Sequence, residues 1–380
     1  MIYRAIGIMS GSSLDGLDIA FTEFTETGGK WAFEIIAADC IGYNNEWLDR
    51  LSTATTLSAL EYQLLHTEYG HYIGRQVNLF IDSNNLQHKV HLIASHGHTT
   101  FHVSEKKMTA QLGDGAAIAA QTKLSVVSDL RALDVAFGGQ GAPIVPIGEK
   151  LLFPGYDYFL NLGGIANLSI NTSTHTSATL SIAEPTLRLR SGLIAFDVCA
   201  ANRVLNMLAA EVGAKYDDGG RMAASGKINE ALLNLLNELA YYGKSYPKSL
   251  ANSFGTDTVY PMIKNTSVAT ADALRTYTEH ICQQIAKAAT GDRRLTTDNQ
   301  LLVTGGGAFN TFLIECLTGL LKEKGINVVV PEEKIIQYKE AMIMGLLGVL
   351  RWREEATVLP SVTGATQASI GGALWLGTEA

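Results

Sequence analysis

The sequence predicts an α/β fold made of two similar halves, and three observations carry that expectation. Strand-like and helix-like segments alternate along all 380 residues. Each half opens on two apolar runs joined by a glycine turn, Ile6–Phe21 and Tyr158–Ile170. A glycine-rich break, Gly138-Gly-Gln-Gly-Ala-Pro143, separates the two. Alternating extended and amphipathic segments are the signature of layered α/β domains. The expected division is 1–137, 138–360, and a tail 361–380 that returns to the first half.

The first hairpin has apolar residues at Ile6 and Ile8, then at Leu17, Ile19 and Phe21, around a loop of Ser, Gly and Asp. Gly11 and Gly16 can take positive φ, so successive backbone N–H groups can face one concavity and hold an anion. Ser10, Ser12 and Ser13 add hydroxyl donors. Asp15 and Asp18 suit an anion only if a divalent cation sits between, which points to Mg²⁺-nucleotide phosphates. An ordinary Ser/Gly hairpin is the competing reading.

Next come a strand over Ala32–Cys40, helical periodicity from Glu46, a long helix over Leu57–Asp82 and a strand at His91–Ser95. A strand at Thr109–Leu112, a helix at Ala116–Gln121 and a strand at Ser125–Ser128 follow. His91, His96, His98 and His102 have no carboxylate at ligand-like spacing, so sugar binding or strand-end polarity explains them better than a metal. Arg131 near Asp134 is either a buried ion network or an Arg whose fork faces a carboxylate-bearing substrate.

Beyond the break, the second hairpin leads into a Ser/Thr-rich surface loop, Asn171–Thr186. Asp197 closes an apolar run, which places it at a strand's carboxyl end or as N-cap of the helix Asn202–Val212. Helices over Asn229–Tyr242 and Ala269–Thr290 follow. A strand from Leu301 passes through Gly305-Gly-Gly307 to Asn310 and a helix at Thr311–Lys324. Those glycines let a backbone approach a nucleotide, or simply make a tight turn. Val328–Val330 is a strand. In the helix Lys339–Arg353, Glu340 stands at the start, where the dipole favours an acid.

Composition narrows the function. With 47% hydrophobic residues, large cores are affordable, and a formal charge of −8 with no Lys/Arg run excludes a nucleic-acid surface. Cys40, Cys199, Cys282 and Cys316 lie far apart, as expected of free thiols in a reducing cytosol. No leader and no apolar run of membrane-spanning length is seen, so a cytoplasmic protein without a membrane partner is expected. Walker A, G-x-G-x-x-G and G-x-S-x-G sequences are all absent. A nucleotide site built from glycine turns remains.

Taken together, these residues resemble the anhydro-N-acetylmuramic acid kinases, of the actin, sugar-kinase and heat-shock ATPase superfamily. The resemblance rests on Gly7-Ile-Met-Ser-Gly-Ser-Ser-Leu-Asp-Gly-Leu-Asp18, Ser95-His-Gly97, Gln111–Asp114, Val127–Asp134 and Gly138–Pro143. It continues through Asn161–Ser169, Phe196-Asp197 with Asn202, Gly305–Gly307 with Asn310, and Leu359-Pro-Ser-Val-Thr-Gly-Ala365. It implies a duplicated, two-lobed actin-like fold with a cleft that closes on ATP and sugar, Mg²⁺ as cofactor, and a homodimer. The reaction implied is hydrolytic phosphorylation of 1,6-anhydro-N-acetylmuramic acid in peptidoglycan recycling. Asp197 would activate the water, Gly11, Ser12, Ser13, Leu14, Asp15, Gly16, Leu17 and Asp18 would hold ATP phosphates, and Gly305, Gly306, Gly307 and Asn310 the nucleotide. His96, Arg131 and Glu340 match positions near the sugar.

The sequence also departs from the family pattern. Phe-Asp-Thr-Gly-Pro-Gly-Asn is replaced by Phe196-Asp-Val-Cys-Ala-Ala-Asn202, and Lys-Ser-Thr-Gly-Arg-Glu by Lys248-Ser-Leu-Ala-Asn-Ser253. Ser-His-Gly-Gln-Thr becomes Ser95-His-Gly-His-Thr99, and Asp-Phe-Arg becomes Asp129-Leu-Arg131. The changes gather on the sugar side, which keeps open a kinase of another amino sugar and a catalytically weak nucleotide- and sugar-binding sensor.

Overall fold

A computed structural model describes residues 1–11, 14, 16–171, 192–246, 248–251, 253–291 and 298–378. The Ser/Thr-rich stretch expected as a loop falls, beyond Asn171, outside the described residues. Contacts divide the chain into two units. The first takes Met1–Pro154 and Tyr338–Ala380; the second takes the described stretch 155–171 and Gly192–Gln337. The crossings therefore fall at Pro154 and Gln337 rather than at the glycine-rich break and after Pro360. The reason lies in side chains: the helix Pro146–Leu152 is tied to the late helix Glu333–Trp352 by a buried ion pair, Lys339 Nζ to Glu149 Oε1 at 2.6 Å.

In the first unit, β1 (Ile2–Ser10), β2 (Leu17–Thr27) and β3 (Lys30–Ile41) form an antiparallel meander. β4 (Leu92–Val103) runs parallel to β1, β5 (Met108–Leu112) pairs antiparallel with β4, and β6 (Val126–Ser128) runs parallel to it. The tail strand Ala373–Trp375 closes the sheet on β6. Inward residues alternate along the strands: Ile6 with Ile8, and Ile19 with Phe21, are all buried. They meet Tyr69, Ile73 and Val77, spaced four apart on the helix Ala59–Ser83, which opens on a Ser58–Glu61 capping box. Helix Glu333–Trp352 packs on the sheet so closely that a Cβ on Gly7 would lie 1.8 Å from the Ala341 carbonyl oxygen.

In the second unit, β7 (Tyr158–Leu162), β8 (Ile165–Asn171) and β9 (Leu193–Ala200) make the same meander. β10 (Asn299–Thr304) lies parallel to β7, and β11 (Ile326–Val329) parallel to β10. Its order β11-β10-β7-β8-β9 repeats β6-β4-β1-β2-β3 of the first unit with every strand direction matched. The duplication announced by the two glycine hairpins is present in the strand order. The core against this sheet comes from helix Thr270–Thr290, whose Tyr277, Ile281 and Ile285 recur at four-residue spacing.

Three elements differ from their expected bounds. β4 runs through all of His96, His98 and His102, because β5 extends its pairing beyond Ser95. The helix expected over Asn229–Tyr242 ends at Asn237. The late helix starts at Glu333, so Glu340 sits in its interior and the dipole does not explain it. Among the described residues no helix is long and apolar enough to cross a membrane.

Candidate functional site

The β1–β2 loop is held at both ends. Ser12, Ser13 and Asp15 lie outside the described residues. Of the others, Leu14 takes the left-handed conformation (φ 59°), and its N–H donates to the Gly11 carbonyl at 3.3 Å. Gly16 supplies space rather than positive φ: a Cβ there would sit 2.9 Å from both Cys40 Sγ and the Ile41 carbonyl oxygen. Leu17 and Asp18 begin β2, with Leu17 buried and Asp18 half-buried.

Ser10, the last residue of β1, is fixed by a ring of hydroxyls. Its Oγ lies 2.8 Å from Tyr43 Oη and 2.8 Å from Tyr69 Oη, and the two phenols are 2.6 Å apart. Three hydroxyls can each donate once around such a ring, leaving no proton unpaired. Across the strands His98, paired in register with Ser10, hydrogen-bonds the backbone of Gly11. Burial pushes its imidazole towards the neutral form, and its buried Nδ1 has no hydrogen-bond partner among the described residues. Ser10 was expected as a hydroxyl donor and His98 as a sugar-side or strand-end histidine, but Tyr43 and Tyr69 were not singled out in the sequence. Residues so far apart carry no local signal for this ring.

His96, Arg131 and Glu340 come together in the first unit. Arg131 Nε donates to His96 Nε2 at 2.7 Å, and His96 Nδ1 lies 2.7 Å from the Gly97 carbonyl oxygen. An imidazole whose Nε2 accepts carries its proton on Nδ1, so the two contacts select one neutral tautomer. Burial, then the adjacent guanidinium, lowers the His96 pKa to about 3. Burial brings Arg131 down to about 10, with the Glu340 carboxylate opposing, so it stays charged at neutral pH. The Arg131–Asp134 network weighed in the sequence does not form. Asp134 instead accepts from the Gly141 N–H at 2.8 Å and the Thr363 hydroxyl at 2.7 Å, binding the glycine-rich break to the Pro360–Thr363 helix.

Asp197 stands inside β9, paired in register with Asn167. Its Oδ1 accepts from Asn167 Nδ2 at 2.9 Å and its Oδ2 from the Leu250 N–H at 2.8 Å. It is neither at the strand's end nor a cap: β9 continues to Ala200, and the N-cap of helix Asn202–Ala210 is Ala201, with no side-chain cap bond. Where the family pattern has glycines and proline, Cys199 and Ala200 keep pairing with Ala166 and Ile165. The Lys248–Ser253 change spares the contact too, since position 250 holds Asp197 through its backbone. Burial raises the carboxyl pKa above the ordinary Asp value, against the two hydrogen bonds.

In the same unit Gly305 leaves β10 with φ 82°, followed by a 3₁₀ turn over Gly306–Phe309. A Cβ on Gly305 would lie 2.3 Å from Asn161 Oδ1, and one on Gly307 would lie 2.6 Å from Leu162 Cβ. Gly306 is open, with nothing nearer than Asn202 Nδ2 at 3.8 Å. The turn is therefore packed on two sides and bare on the third. Asn310 Oδ1 accepts from the Leu313 N–H at 3.0 Å and caps helix Thr311–Lys322. Among the described residues no group of three or more His, Cys, Asp or Glu could hold a metal ion.

Comparisons with known proteins converge. Residues 3–377 match the family described as anhydro-N-acetylmuramic acid kinase. Proteins of that name from Vibrio parahaemolyticus and Aliivibrio fischeri are 30% and 32% identical, covering 96% and 97% of this chain and 96% and 98% of their own lengths. One from Haemophilus influenzae is 31% identical and covers 97% of each chain.

Proposed function

The chain belongs to the anhydro-N-acetylmuramic acid kinase family, and from that membership we propose that it phosphorylates 1,6-anhydro-N-acetylmuramic acid with ATP in the cytoplasm, as a step of peptidoglycan recycling. Water adds to the anomeric carbon as the bond from that carbon to the 6-oxygen breaks. The freed 6-oxygen takes the γ-phosphoryl group, ADP leaves, and the product is N-acetylmuramic acid 6-phosphate.

The observation that carries this reading is the Asp197 carboxylate. Two donors orient it, and burial makes it more basic than an exposed Asp. Each oxygen keeps a lone pair for the attacking water, whose proton it takes; such assistance is typically worth about 10²–10⁴-fold. Arg131 stays charged and presents its guanidinium fork to the sugar's carboxylate, oriented by His96, while Glu340 accepts from sugar hydroxyls.

The residues present fit a nucleotide. In the second unit Gly306 is uncovered at the end of β10; in the first, the hydroxyl ring fixes Ser10 and His98 hydrogen-bonds the backbone of Gly11, where the loop assigned to the phosphates begins. Mg²⁺ arriving with ATP neutralises phosphate charge and needs only one or two protein carboxylates. Asp18 suits that role.

Incubation with Mg-ATP and a panel of amino sugars, read by mass, tests the proposal. Gain of phosphate plus water on the anhydro sugar is expected. Phosphate alone on another sugar would assign a different acceptor, and binding without turnover a sensor.

A further inference from the structure

β9 is an edge strand of its sheet, and it bulges where the acid stands. Asp197 pairs with Asn167 and Cys199 with Ala166, so Val198 is the extra residue. A bulge leaves its extra residue out of the ladder and re-aims the side chains beside it. Two tyrosine hydroxyls brace this one. Tyr241 Oη donates to the Asp197 carbonyl at 2.7 Å and Tyr277 Oη to the Ala200 carbonyl at 2.8 Å, one before the extra residue and one after it.

The Tyr241 bond completes the fixing of Asp197. The Asp197 N–H donates to the Lys248 carbonyl at 3.2 Å, and its two carboxylate oxygens accept from Asn167 Nδ2 and the Leu250 N–H. With the carbonyl held by Tyr241, every polar atom of the residue is paired. The phenol is itself fixed: its ring packs 5.5 Å from Phe254 and 5.8 Å from Tyr242, and Lys248 Nζ stands 4.7 Å above it. The segment Lys248–Leu250 therefore touches Asp197 twice and returns to Tyr241 through the Lys248 ammonium. Burial, then the Asp197 carboxylate and the Cys199 thiol, push the Tyr241 pKa up, so the phenol keeps its proton and remains a donor.

We propose that Tyr241 is a positioning residue for the reaction, holding Asp197 through its carbonyl so that the carboxylate meets the attacking water squarely. The inference rests on the catalytic reading of Asp197. Tyr277 supplies the comparison, because it makes the same kind of bond at Ala200, which carries no reacting group. There the hydroxyl covers an edge carbonyl and nothing more.

The test removes each hydroxyl alone. Tyr241→Phe keeps the ring and should lower kcat about tenfold or more, since rate depends steeply on the placement of reacting groups. KM for the sugar and ADP affinity should not move. Tyr277→Phe should lose thermal stability yet keep kcat near that of the parent. Added to Asp197→Asn, Tyr241→Phe should slow turnover no further, because it acts through that carboxylate. Equal kcat losses in the two Phe variants, or losses that add to that of Asp197→Asn, would make Tyr241 structural only. Normal turnover in Asp197→Asn would instead fail the catalytic reading, and titration of the Asp197 carboxyl followed by NMR then decides the placement by itself. Asn167 and Leu250 hold its pKa down against burial, so loosening them in Tyr241→Phe should move the midpoint up. An unmoved midpoint would overturn the assignment.

Discussion

The two hairpins occupy the same place in the same strand order yet differ in the length of the turn that joins their strands. In the first unit the six residues Gly11–Gly16 separate β1 from β2, and His98 of β4 hydrogen-bonds the backbone of Gly11. In the second unit β7 and β8 are joined by Gly163–Gly164 alone, leaving no room to enclose anything. On the proposed assignment the chemistry there falls to the neighbours, Asp197 on the third strand of the meander and the glycine turn after β10. In the first unit the acids of the third strand, Glu34 and Asp39, are exposed, and β4 bears His96 and His98. The strand frame sets positions, and loop length decides which position can hold a reacting group.

The sharpest way to break this comparison is to remove the hydrogen-bonded acid on the third strand of the second meander. Asp197→Asn should lower turnover by about 10²–10⁴-fold, since Asn keeps the shape and loses the basicity. ADP affinity should be unchanged. Because Asp197 caps no helix, near-normal turnover in the folded variant would leave it without a role. In the parent enzyme kcat should fall towards low pH as Asp197 is protonated, with the midpoint above the ordinary Asp value because burial raises its pKa. A midpoint at or below that value would contradict its environment.

A second difference lies in how each unit secures its long helix. The first uses the buried pair Lys339–Glu149. The second uses neutral hydrogen bonds of His280, kept uncharged by burial with a pKa of about 3: its Nδ1–H donates to Asn237 Oδ1 at 2.7 Å, and its Nε2 accepts from the Tyr242 hydroxyl at 3.0 Å. Removing one partner of a buried pair strands a charge, so Lys339→Met should cost about 3–5 kcal/mol. Asn237→Ala should cost about 1–3 kcal/mol. Urea unfolding of the two variants compares them, and equal losses would erase the contrast.

The glycine turn after β10 separates packing from binding within three residues. Gly305→Ala combines a left-handed φ with a Cβ 2.3 Å from Asn161 Oδ1, and should lose about 1–3 kcal/mol of stability. Gly306→Ala meets nothing and should leave the melting temperature unchanged while weakening nucleotide binding. Thermal denaturation paired with ADP titration distinguishes them, and nucleotide binding intact in Gly306→Ala would remove this turn from the site.

Much of this was legible in the sequence because it is local. Ile6–Phe21 and Tyr158–Ile170 show their hairpins in apolar alternation and glycine, and helices such as Thr270–Thr290 show theirs in four-residue spacing. What escaped needed distant residues to meet. Extension of β4 depends on pairing with β5, and continuation of β9 past Asp197 depends on β8 offering partners to Cys199 and Ala200. The His96–Arg131 bond spans two elements, and the ring at Ser10 joins three. The crossings between the units were misplaced for the same reason, since Lys339 and Glu149 meet only once folded.

The hydroxyl ring offers the smallest and most specific test of what pins the first hairpin. Tyr69→Phe keeps the aromatic packing of Tyr69 against Trp47 and Tyr72 but deletes one hydroxyl of three. Ser10 and Tyr43 can still bond each other, so the loss in stability should be about 1 kcal/mol. If the ring only fills the core, that is the whole effect. If it sets the position of Ser10, and through it Gly11, the phosphate loop shifts as well. KM for ATP should then rise a few-fold while KM for the sugar stays put. Ser10→Thr, which retains a hydroxyl, should behave closer to the parent than Ser10→Ala. A stability loss with both KM values unmoved would make the ring part of the core alone, and His98 would remain as the side chain holding the loop.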